Sequence, residues 1–412
     1  MIKIFPNNNK YLNKLFKSKK PLIIYKVKNG YDIFTDFSHK IYLDNKNIDD
    51  FFSNILHLDP DKEIFDGYIG FFDYKLLCNL IGLKINKQKS DFFNKSIFYK
   101  PETIIKIRKK VRIFSSLSTE NREKELNNEL KNYEENIFYH KKNFDINYTL
   151  ENFKEKFDFA KKKIIAGETY QIKISQKYTN NSFINPIDFF INLMQVNCSP
   201  ESFMIRDENY SIVSCSPENL IYKKGSKITT KPIAGTIKKT KSMDITLAKK
   251  MFTENKKENK EHNMIIDLER NDLSKICKPG SVRLKKKKLV EEYKDLFHYV
   301  SEISGVIKEG VEIKEIIAAM MPGGSVIGCP KISSLNIINN LEDSSRNIFT
   351  GSFGYIKSNL DMRFNVIIRT ILNYKNSIEI LAASGIIIDS KYKNEFEENF
   401  IKAKSLIDLF KL

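Results

Sequence analysis

Two pairs of glutamates recur at helical spacing in this 412-residue chain. In KENKEHNMIIDLERNDL, Glu258 and Glu261 are three residues apart and share a helical face with Ile265 and Leu268, which sets at least one carboxylate beside a buried stripe. In KNEFEENFIKAKSLIDLF, Glu395, Glu398 and Lys402 line one face while Phe396, Phe400 and Ala403 pack another. Either helix alone reads as a solvated surface carrying an ion pair such as Glu398 to Lys402. Together they can do more. Carboxylates from two helices hold Mg2+ without a full protein cage and leave coordination positions for water and an anionic substrate.

Other residues suit an anion. MPGGSVIGCPK places Gly323, Gly324 and Gly328 ahead of an apolar helix, where free backbone N–H groups suit a carboxylate or phosphate, although the run matches neither nucleotide-binding glycine pattern. Arg369, inside the apolar strand-like run NVIIRTIL, needs an anionic partner because an unpaired buried charge is costly. His298 in FHYVSEISG reads, on its own, as a core histidine. KPIAGTIKKT turns tightly through Ala234, Gly235 and Thr236 between lysines, which alone specifies nothing.

These groups need elements to carry them. Residues 1–115 alternate short β-type runs (PLIIYKV, DGYIGFFDY, TIIKIRKKVRIF) with polar turns, which predicts a sheet-rich N-terminal region. Residues 116–149 turn polar and helical, a connector. From 150 to 412 amphipathic helices alternate with strands: helix 151–166, strand 170–178, helix 186–196, strands across 202–231 and helix 243–273. With no repeat and no regular βαβ rhythm, the pattern predicts an α+β fold rather than a doubly wound sheet.

Composition narrows the function. The formal charge is +18, but the lysines are spread along the chain, so nucleic-acid binding is not expected and a small anionic substrate is. Five cysteines without a C-x-x-C pair, and histidines that do not cluster with them, argue against structural zinc and a disulfide framework. No apolar run approaches the ~20 residues of a membrane span, and the first residues lack the order of a signal peptide. A cytoplasmic, membrane-free protein is expected.

Taken in order, GETYQIKISQKY, SCSPENL, KPIAGT, EHNMIIDLERNDL with KPGSV, HYVSEISG, PGGSVIGCPK, TGSFGYI, IIRT, ASGIIIDS and NEFEENFIKAK resemble the chorismate-utilising enzymes. That family includes anthranilate synthase component I, the aminodeoxychorismate synthase large subunit, and the isochorismate and salicylate synthases. The motifs make 150–412 the chorismate-binding catalytic region, while 1–115 match loosely, chiefly through DGYIGFFDY. The resemblance implies one large α+β fold of packed, mainly antiparallel sheets surrounded by helices. It implies Mg2+ held by Glu261 and Glu398, with Glu258 and Glu395 supporting them. It also implies substrate contacts from Arg369, Lys402, Tyr355, Gly385 and the Gly323-Gly324-Ser325 turn. Glu218, in the S-P-E motif, matches the general acid that protonates the leaving ring hydroxyl, and such an acid must keep its proton near neutral pH. His298 matches the histidine beside the reacting ring, and Ala234-Gly235-Thr236 a wall of the pocket where the nucleophile arrives.

The branch turns on a few positions. Isochorismate and salicylate synthases activate water with a lysine where this chain has Gln171, so ammonia is the expected nucleophile. Ala234 resembles the anthranilate synthases, whereas many aminodeoxychorismate synthases carry a lysine there. PGGS with Ser325, TGSFGYI, the short chain and the lack of an L-L-E-S element resemble the aminodeoxychorismate group, toward which the reading leans. No glutaminase is recognisable, so ammonia is expected from a separate glutamine amidotransferase subunit.

Overall fold

Alternation of period two builds the strand Gln171–Asn180. Ile172 and Ile174 enter the apolar core, while Gln171 and Lys173 face the opposite way, toward Glu261. Its partner Ser377–Ile386 runs antiparallel to it, with Gly385 opposite Lys173. On the core side, the helices Leu150–Ile165 and Tyr392–Ile407 cover this pair and meet through the rings of Phe153 and Phe396. The Tyr392–Ile407 helix buries Glu395, Asn399, Ala403 and Leu406 at steps of three and four. Phe400, expected in the packed face, is instead exposed.

The computed structural model describes residues 9–56, 65–85, 93, 95–131, 143–240, 243–292 and 296–411. Among them, nineteen strands join one hydrogen-bonded network, antiparallel at every pairing, with eleven α-helices around it. This is the α+β architecture that the sequence predicts. The N-terminal strands hydrogen-bond directly into the later ones: Leu22–Val27 pairs with Phe203–Arg206, and Gly67–Phe72 with Ser352–Lys357. Between them, Thr119–Lys131 is helical. No helix among the described residues is long and apolar enough to cross a membrane.

The single helix expected over 243–273 is two, Ile245–Glu254 and Lys256–Ile276, with Asn255 extended between them. The break is stabilised locally. The Asn259 side chain donates to the carbonyls of Phe252 (2.7 Å) and Thr253 (3.1 Å), which the interruption leaves without helical partners, and to that of Asn255 (3.0 Å), which also accepts the Asn259 backbone N–H. The second helix then packs against Ile313–Met320 on one side and the strands Ile233–Lys238 and Leu296–Val306 on another. That places Glu261 over the Gln171 strand.

Candidate active site

Glu218 immediately precedes the strand Asn219–Lys224 and is 4% exposed. Ser325, in the short 3-10 turn Gly324–Val326, donates its hydroxyl to Glu218 Oε1 at 2.6 Å. Two motifs far apart in the chain thereby meet. Burial pushes the Glu218 carboxyl up to about 7, against the pull of the Ser325 hydrogen bond and the charges of Lys173 and Arg369. The carboxyl is therefore poised between acid and carboxylate near neutral pH.

Arg369 is not inside a strand, as its apolar surroundings suggested. It occupies a bend between Met362–Val366 and Thr370–Tyr374 with φ of 51°, and its carbonyl accepts from the Cys215 N–H at 3.1 Å. The left-handed residue turns the chain out of one strand pairing and into the next. Burial pushes its guanidinium below the ordinary value, with Cys215 and Glu218 pulling it back up. His298, fully buried on Leu296–Val306, is pushed down to about 3 by burial and then by Arg369, while a backbone hydrogen bond with Gly235 acts the other way. It is a neutral imidazole at physiological pH. Gly235 itself has φ of 81°, at a bulge where Ile233 pairs with Val300 but Thr236 with His298. The extra residue and left-handed backbone need glycine there.

A second group of charges lies across the Gln171 strand. Glu261 Oε1 accepts from Gln171 Nε2 at 2.6 Å and from Lys173 Nζ at 2.9 Å. Glu398 Oε1 lies 2.7 Å from Lys402 Nζ, which also donates to the Ala383 carbonyl at 2.9 Å. Burial alone would push the Glu261 carboxyl up, but the Lys173 ammonium and the Gln171 amide outweigh it and hold the group at about 2. Glu398 is also held below the ordinary range, where Lys402 overcomes burial. Glu395, 1% exposed, adds charge from the same helix to the field around Lys173. Gly385 forms the floor: a Cβ there would lie 2.6 Å from Gln171 Nε2, 2.8 Å from Lys173 Nζ and 3.2 Å from Glu261 Oε1.

Residues 15–408 match the family of chorismate binding enzymes. The chain belongs to that family. Aminodeoxychorismate synthase component 1 of Bacillus subtilis (strain 168) is 36% identical over 258 residues, 62% of this chain and 55% of that protein. An anthranilate synthase component 1 of Haloarcula marismortui is 33% identical over 267 residues, 64% of this chain and 54% of its own. The matched stretch thus spans little more than half of either relative. Anthranilate synthase component I from Streptococcus pneumoniae TIGR4 superposes with a TM-score of 0.75 at 27% identity, covering 95% of this chain and 91% of that one. The menaquinone-specific isochorismate synthase from Escherichia coli shares the fold, with a TM-score of 0.74 at 15% identity over 98% of this chain and 93% of its own.

Against the expectations for a chorismate enzyme, Glu218, Ser325, His298, Gly235 and Arg369 gather at one end, and Glu261, Glu398, Lys402 and Gly385 at the other. Lys173 acts electrostatically on both. Gly323 packs against Leu220 and Val366 beside the Ser325 turn. Tyr355 is not among them. It packs edge-on to Phe65 at 5.6 Å, near Arg363 and Glu201, because the strand Ser352–Lys357 turns Phe353 and Tyr355 to one face and Gly354 and Ile356 to the other. The side chains of Ala234, Thr236 and Glu258 lie outside the described residues.

Two features escaped the sequence reading. Lys173 sits in the apolar alternation of QIKIS, and the reasoning applied to Arg369, a cation that needs an anion, would have singled it out. Arg346 and Glu342 form a buried ion pair at 2.7 Å, in which Arg346 Nη2 also donates to the Lys173 carbonyl at 2.7 Å and Glu342 Oε1 accepts from the Ser175 N–H at 2.8 Å. Nothing in SSRNIF marks that arginine as internal.

Proposed function

We propose that the protein is the chorismate-aminating component of aminodeoxychorismate synthase, making 4-amino-4-deoxychorismate from chorismate and ammonia. The observation that carries this reading is the buried Glu218 carboxyl, titrating at about 7 and oriented by Ser325 of the PGGS turn. Arg369 and Lys402 hold the substrate carboxylates, and backbone at Gly235, Gly385 and Gly323-Gly324-Ser325 closes the pocket. Glu218 gives its proton to the ring hydroxyl, which leaves as water as the C–N bond forms. The proton shed by the incoming nitrogen returns to Glu218. His298, neutral, fills the side of the pocket behind Gly235 without adding charge.

Ammonia rather than water fits the residues at the Gln171 strand. An amide cannot take a proton, and Lys173 is held above its ordinary value by Glu261, which outweighs burial, so neither is a base for water. Ammonia reaches the site from a separate glutamine amidotransferase. Burial pushes the thiols of Cys78, Cys215, Cys277 and Cys329 up, the opposite of what a glutaminase nucleophile needs.

The donors present fit Mg2+. Glu261 and Glu398 are ionised, hard oxygen ligands on separate helices. Among the described residues no three histidine, cysteine, aspartate or glutamate side chains form a cage, so the fit is to an ion shared with water and substrate. When bound there, Mg2+ supplies positive charge to the ring carboxylate. Glu261→Ala and Glu398→Ala are each expected to abolish magnesium-dependent turnover while the circular dichroism spectrum stays that of the wild type. Wild-type turnover in both variants would remove the metal assignment.

Ala234 favours a second reading, anthranilate synthase component I, which releases anthranilate and pyruvate. Product analysis separates the two. With chorismate, Mg2+ and ammonium, p-aminobenzoate is expected only after an aminodeoxychorismate lyase is added, and fluorescent anthranilate without the lyase would overturn the assignment.

A further inference from the structure

We propose that Lys173 is a built-in counter-cation that competes with Mg2+ for Glu261, so that the free enzyme binds the metal weakly. The inference rests on the metal assignment above and concerns a residue that assignment does not use. Lys173 Nζ lies 2.9 Å from Glu261 Oε1, and among the described residues that oxygen is its one hydrogen-bond acceptor. Lys402 differs, since it is tied both to Glu398 and to the Ala383 carbonyl.

The ammonium cannot drift far from Glu261. The Lys173 N–H donates to the Ile327 carbonyl at 2.9 Å, and its own carbonyl accepts from Arg346 at 2.7 Å, so the backbone is pinned on both sides. Only rotation of the buried side chain can move the charge. Mg2+ arriving at Glu261 meets a carboxylate already neutralised by a cation a hydrogen bond away. Either the two positive charges sit together in a poorly solvated site, or the buried ion pair breaks first. Both routes weaken metal binding. An ammonium displaced from Glu261 remains above the Gly385 floor, where a substrate carboxylate can take over as its partner.

Calorimetric titration of the whole protein with MgCl2 alone tests this, with no chorismate or ammonium present. Lys173→Met is expected to tighten Mg2+ binding by about tenfold or more, because the metal no longer displaces a charge. Lys173→Gln keeps a donor for Glu261 and carries the same expectation if the methionine variant does not fold. Lys173→Arg, which keeps the charge, is expected to stay within about twofold of the wild type. Unchanged or weaker affinity in the neutral variants, equal tightening in the arginine variant, or no Mg2+ uptake by any of the proteins would each overturn the proposal. The amination reading is judged separately, by the product assay.

Discussion

Glu218→Gln is expected to lower kcat for chorismate by about a hundredfold to ten-thousandfold, the usual worth of a positioned general acid. Glutamine keeps the shape and still accepts from Ser325, but it has no proton to give to the departing hydroxyl. The pH profile supplies the sharper test. Burial raises the Glu218 pKa to about 7 from an ordinary 4.5, so the proton-bearing, active form dominates below that value and is lost above it. In the wild type, kcat/KM should therefore fall by about tenfold per unit as pH rises beyond roughly 7, and in Glu218→Gln this limb should vanish. An alkaline limb of the same midpoint in the variant, or more than a tenth of wild-type turnover, would assign the proton to another group.

The largest effect on stability is expected at Arg346, which is not among the residues proposed to hold substrate. It is 1% exposed and holds Glu342 through two nitrogens, at 2.8 and 2.7 Å, besides the Lys173 carbonyl. Arg346→Ala leaves the Glu342 charge buried without its cation and should cost about 3–5 kcal/mol, read as a lowered urea midpoint. Replacing both residues by apolar ones of similar volume, Glu342→Leu with Arg346→Met, should recover part of the loss, since no bare charge remains. Recovery stays incomplete because the Ser175 N–H then lacks its acceptor. A single variant within about 1 kcal/mol of the wild type would mean that the pair is solvated.

Local rules made much of this legible. Helical spacing marked the two glutamate pairs, the family resemblance picked Glu261 and Glu398 out of them as the expected metal ligands, and a costly buried charge marked Arg369. What stayed hidden are joins between distant segments and choices of face. No local pattern couples Glu218 to Ser325, 107 residues apart. A motif containing Tyr355 does not say which face of its strand the ring takes, and the register of Ser352–Lys357 against both neighbours sets that face. Lys173 looks like one lysine among many in a lysine-rich chain. The Asn255 break was illegible because Asn259, which takes up the freed carbonyls, looks like any polar residue on an exposed turn.

The antiparallel network also has a temporal meaning. Leu22 pairs with Arg206, and Gly67 with Lys357, so strands made early in translation wait for partners made much later. Until those arrive, the nascent chain carries open strand edges and depends on protection from association. Glu398 and Lys402 lie on the helix Tyr392–Ile407, which follows all nineteen strands of the described residues in chain order. Glu218, the proposed acid, is therefore made well before Glu398, the second carboxylate proposed to hold the metal, and turnover is expected only once that helix docks.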